Sequence, residues 1–169
     1  MNTVSLSNEI MRCGQLPVNA LQNLLARYGL DVMPVAPHAP IPGSFWGDPE
    51  AGLIDQQLYV RDDTPVHSAM HEACHFICMD TSRRTKLHTD AGGHYAEENG
   101  VCYLQILLAD YLPNMDKQTM MQNMDQWGYS FRLGSASAWF HQDATDAVAW
   151  LLEHGLINAH QQPTWQLRA

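Results

Sequence analysis

Between positions 66 and 77 the residues Val66, Ala69, Met70, Ala73, Phe76 and Ile77 recur at three- and four-residue intervals, which gathers them on one face of an α-helix. A chain carrying such a segment has to bury that face against a second layer of structure. Thr64-Pro65 reads as the helix start, with Thr64 as N-cap and Pro65 at the first helical position; the spacing predicts a helix running to about Asp80. Inside it lies His71-Glu72-Ala73-Cys74-His75, an H-E-x-x-H motif. Residues four apart share a helix face, so two imidazoles at that spacing can grip one metal ion while Glu72 reaches a water held there. With nine histidines and six glutamates in 169 residues, chance supplies about 0.02 such motifs.

The flanks favour a helix as well. Residues 53–61, rich in branched and aromatic side chains, read as one strand ending just before it. Beyond it, Arg83, Arg84 and Lys86 stand where cations complement the helix dipole, so capping is expected of them rather than substrate binding. A polar link with Gly92 and Gly93 leads to a second helix, expected over about 94–112. Two histidines cannot complete a catalytic zinc site, which takes three protein ligands and one open position. Glu97 and Glu98, in the first turns of the second helix, can return over the histidines if the two helices run antiparallel. Adjacent helical carboxylates point about 100° apart, so one can serve as ligand while the other is solvated or supports a ligand.

These residues resemble the gluzincin class of zinc metallopeptidases, particularly its small single-domain members. The resemblance rests on His71, Glu72, His75 and the Glu97-Glu98 pair and covers about residues 53–112. It implies a zincin-like fold, one zinc ion per chain held by His71 and His75, and Glu72 as general base. Glu98, followed by Asn99-Gly100-Val101 and an apolar run, is the implied third ligand, with Glu97 as the alternative. The chain departs from the pattern in one respect. Many gluzincins carry an Asp four residues after the ligand Glu to orient a histidine, whereas here Cys102 stands there, or Val101 if Glu97 is the ligand. Asp90, Asp62 and Asp63 are candidates to replace it. The longer metzincin motif fails, because Cys78 and Thr81 occupy its glycine and third-histidine positions.

Other residues carry weaker signals. His67 lies one turn before His71, as a support for a ligand, a substrate contact, a spare ligand or simply an exposed first-turn residue. His88 and His94 flank the Gly92-Gly93 hinge, and a cationic donor there can stabilise an oxyanion. Surface histidines are the plainer reading. Cys74, Cys78 and Cys102 read as packed thiols rather than a second metal site. Tyr59 and Tyr95 can hydrogen-bond a substrate, though core or edge packing is the default. The five tryptophans are scattered and read as core.

The sequence predicts one α+β domain over 1–169, a small antiparallel or mixed sheet packed by several helices, with a metal-site core at about 53–112 and a helical part over 113–169. Residues 17–28 read as a short helix closed by Gly29, and 30–36 as a strand that Pro34 confines to an edge or to its end. Residues 37–52, with four prolines, read as a shaped loop around Phe45-Trp46 that can overhang a cleft. Further helices are expected over 115–126, with a methionine stripe, and over 143–154; residues 127–140 read as loop or short strand. A net charge of −9 disfavours nucleic acid and anionic membranes. The absence of an apolar span, of a basic signal start and of a disulfide framework predicts a cytoplasmic protein with reduced thiols.

The expected function is zinc-dependent hydrolysis of a peptide or protein substrate. Two other readings stay open, namely a metal site with another hydrolytic or sensing role, and a non-enzymatic helical interaction protein. The metal identity and the oligomeric state are not fixed by the sequence.

Overall fold

A computed structural model of the protein describes residues 9–86 and 94–169. Their order is α1 (Ala20–Ala26), β1 (Asp31–Pro34), β2 (Gly52–Ile54), β3 (Gln57–Val60), α2 (Val66–Cys78), α3 (Thr81–Arg84), α4 (Tyr95–Ala109), α5 (Lys117–Trp127), α6 (Ala136–Gln142) and α7 (Thr145–Glu153). Seven helices and a three-stranded mixed sheet make this an α+β fold among the described residues.

The expected strand over 53–61 is two strands. Asp55 adopts a left-handed backbone at φ 51° and turns the chain between β2 and β3. The order in the sheet is β1-β3-β2, with β3 parallel to β1 and antiparallel to β2. β3 is therefore central and has no free edge. β2 is covered on its outer side, where Leu53 N donates to Gly43 O at 3.4 Å and Ser44 bridges Gly52. Gly52 is needed for that approach, since a Cβ there would lie 1.7 Å from Pro42 O. Neither β2 nor β3 therefore offers a free edge to an extended peptide. Pro34 does end an edge strand, β1, as expected.

α2 is the centre of the molecule. Thr64 does not cap it, because its Oγ1 accepts from Arg61 N at 2.9 Å; Pro65 is the N-cap, and Cys78 is the last helical residue. The apolar stripe seen in the sequence underestimates its burial. Every residue of α2 is buried except His71 and Glu72, which are half-buried. The small residues Ala69, Ala73 and Cys74 allow close packing all round. Its C-terminal carbonyls are capped from two sides. Arg84 Nε donates to Phe76 O at 2.9 Å and Nη2 donates to Met79 O, while Arg168 Nη1 donates to Cys78 O at 3.2 Å. Cations there also complement the helix dipole, a role that Arg84 of the basic cluster takes as expected, whereas Arg83 pairs with Glu97.

α4 packs against α2 on one side and α7 on the other, and is buried from Gly100 to Ala109. Met120, Met121 and Met124 of α5 are buried as a core stripe. Part of 127–140, expected to be loop or strand, is helical. Ser135 caps α6 by accepting from Ala138 N at 3.1 Å, and Asp125 accepts from Ala136 N at 2.8 Å. Glycine and serine mask that short helix in the sequence.

Candidate metal centre

Residues at i and i+4 of α2 bring the His71 and His75 rings together, with Nε2 atoms 3.1 Å apart. Glu98, on the first turn of α4, closes a triangle with them. Its Oε1 lies 3.1 Å from His71 Nε2 and its Oε2 lies 3.3 Å from His75 Nε2. Tetrahedral ligands about 2.0–2.1 Å from a zinc ion lie about 3.3–3.4 Å from one another. The carboxylate presents one oxygen to each ring at close to that separation, and one ligand atom from each of the three residues lies within 4.8 Å of the others. Among the described residues, His71, His75 and Glu98 form a group that could hold a metal ion.

The electrostatics fit an ion-binding cluster. Burial pushes the Glu98 pKa up, but hydrogen bonds with His71 and His75 outweigh it and hold the carboxyl well below its usual range. Burial likewise opposes charge on His71. Tyr129, Cys102 and Glu98 act the other way and leave its pKa well above 6.5. A proton or a metal ion at His71 Nε2 satisfies the same carboxylate, and the two compete for it.

Two of the three cluster residues, His71 and Glu98, line a cleft of about 550 Å³. His71 and Glu72 from α2, and Glu98, Asn99 and Cys102 from α4, line its inner wall. Trp127, Tyr129 and Phe131 also line it, as do Trp46 and Glu50 of the 37–52 loop. Trp127 Nε1 donates to Glu50 Oε1 at 3.0 Å, tying the loop to the end of α5. Glu72 makes no hydrogen bond or ion pair among the described residues. Burial raises its pKa against the pull of His75 and His71.

The sequence-predicted residues separate clearly. Glu97 turns away from the histidines. It is fully buried and ion-paired with Arg83 at 2.6 Å and with Arg168 at 2.9 Å. His67 is buried rather than exposed and is no ligand; its Nδ1 lies 3.2 Å from Tyr129 Oη, and its ring packs on Trp127. His94 is the exposed N-cap of α4, its Nδ1 accepting from Glu97 N at 3.4 Å. Asp63 pairs with Arg61 at 2.8 Å and Asp62 sits beside Gly14, so neither reaches the ligands. Asp90 and His88 lie outside the described residues. Tyr59 is bonded to Gln57 on the sheet, whereas Tyr95 is exposed at the cleft. Trp46 and Trp127 belong to the cleft, not to the core.

Two site residues have no counterpart in the sequence reading. Gln105 Oε1 lies 2.9 Å from His71 Nδ1, and Tyr129 walls the cleft beside the His71 ring, with centroids 5.6 Å apart. Gln105 follows Glu98 by seven residues, two helical turns on the same face, and that spacing is the signal that could have found it. Tyr129 comes from a loop without a periodic pattern. No protein family, curated protein or solved structure matches the chain.

Proposed function

We propose that the protein is a zinc-dependent metallohydrolase of the gluzincin type, with peptide bonds as its substrate. The observation that carries this is the His71, His75 and Glu98 triangle, with donor separations of 3.1 to 3.3 Å, set beside a half-buried Glu72 that lines an open cleft. His71 and His75 from α2 and Glu98 from α4 hold the ion. When bound, zinc supplies Lewis acidity, lowering the pKa of a water and drawing charge from the scissile carbonyl.

The remaining work falls to the chain. Glu72 takes the proton of the attacking water and delivers it to the leaving amine. Its raised pKa, caused by burial, strengthens it as a base. The Trp127, Tyr129 and Phe131 wall receives an apolar side chain of the substrate and excludes water around the reacting bond. With both sides of β3 paired, the substrate is held by these walls and not by strand addition. The four cysteines are free thiols, which suits a reducing compartment such as the cytoplasm. No helix among the described residues is long and apolar enough to cross a membrane.

Glu72→Gln separates catalysis from metal binding. The variant is expected to keep its zinc and to lose about 10²- to 10⁴-fold in hydrolysis of a fluorogenic peptide panel, the usual worth of a general base. Full activity with zinc still bound would remove Glu72 from the mechanism. Zinc binding in the wild type without turnover of peptides, amides or esters would favour a sensing role.

A further inference from the structure

We propose that Gln105 is the positioning residue of the metal centre, fixing the His71 ring with Nε2 turned to the ion where a carboxylate ordinarily does so. The proposal rests on the metal-site reading above and identifies what orients one of its ligands. Gln105 is fully buried, so each of its amide atoms needs a partner. Its Nε2 donates to His67 O at 2.9 Å. A backbone carbonyl only accepts, which assigns the amino end of the side chain there and the carbonyl end to His71. Oε1 then accepts from His71 Nδ1 at 2.9 Å. An amide oxygen likewise only accepts, so Nδ1 carries the hydrogen and Nε2 is the coordinating atom.

The anchorage has two points. One amide grips the α2 backbone at His67 and the α2 ring one turn later, so the ring cannot swing without giving up its bond to an amide that the other bond holds in place. Glu98 and Gln105 project from one face of α4, which places ligand and support on a single rigid element. His75 has no such device. Its Nδ1 is buried without a hydrogen-bond partner among the described residues. His71 is thus the ligand held in advance. A neutral amide passes less negative charge to the ring than a carboxylate, so this centre trades some metal affinity for orientation.

The test is the zinc dissociation constant, measured by chelator competition for wild type, Gln105→Leu and Gln105→Glu, with thermal melts of each. Gln105→Leu is expected to weaken zinc about 10- to 100-fold, the usual effect of losing such a partner. Gln105→Glu, which restores an acceptor and adds charge, is expected to bind at least as tightly as wild type. In the zinc-loaded wild type, nitrogen-correlated NMR should show a slowly exchanging His71 Nδ1 proton that the Leu variant loses. A folded Gln105→Leu protein with wild-type affinity overturns the proposal alone. Equal weakening in the Leu and Glu variants also overturns it, since a merely structural amide would behave that way. A wild type with no zinc affinity overturns the metal-site reading and this proposal with it.

Discussion

One step along α4 separates two carboxylates with different surroundings. Glu97 is fully buried between Arg83 and Arg168, while Glu98 faces the histidines with its side chain 44 % exposed. The sequence narrows the third ligand to this pair but cannot choose by spacing, because both lie the same helix and turn away from His75. The choice depends on rotation about the α4 axis, and one partner that fixes it, Arg168, comes from the far end of the chain. His67 shows a similar limit. Its spacing places it on the ligand face, yet Tyr129 and Trp127 bury it, and burial, with His71 and Arg12 adding to it, pushes its pKa down to about 3. The unfolded residue titrates near 6.5. Its contribution to stability is therefore complete above pH 6.5 and is lost as the pH falls, because the unfolded chain takes up the proton first. Between pH 6.5 and 4.5 the loss from this residue should reach about 2–3 kcal/mol. Denaturant unfolding at a series of pH values should show that slope in wild type and a flatter one in His67→Asn. Equal slopes would mean that His67 takes its proton in the folded state.

At the scale of elements, patterns with a long period read well and local irregularities do not. The positions of α2, α4, α5 and α7 follow from apolar spacing and from terminators such as Gly155, at φ 69°. The break at Asp55 was hidden because the apolar and polar residues run on through the turn. α6 was hidden because Gly134, Ser135 and Ser137 at its start read as loop residues. The contact of α4 with α7 is set by Gly100, where a Cβ would lie 2.6 Å and 2.9 Å from ring atoms of Trp150. Gly100→Ala gains about 1 kcal/mol of helix propensity but overpacks a rigid aromatic ring, at about 1–3 kcal/mol. Overpacking should win, so the variant is expected to melt a few degrees below wild type. A higher melting temperature would show that α7 yields to the methyl group.

For the whole molecule, the sequence points to the candidate metal-ligating set and to the 37–52 loop, but not to the rest of the cleft. The ligands come from two periodic helices. The walls come from the loop over 37–52 and the segment after α5, whose course is set by tertiary bonds such as Trp127 Nε1 to Glu50. Trp46 and Trp127 accordingly read as core when only their composition is considered, and the side chain beside His71 Nδ1 is Gln105, while Asp62 and Asp63 lie elsewhere. The metal centre is tested by zinc content. Elemental mass spectrometry on protein reconstituted with zinc and then desalted should find one ion per chain in wild type and in Glu97→Gln, and none in Glu98→Ala or His71→Ala. A zinc-free wild type, or an ion that survives Glu98→Ala and leaves with Glu97→Gln, would contradict the His71, His75 and Glu98 site.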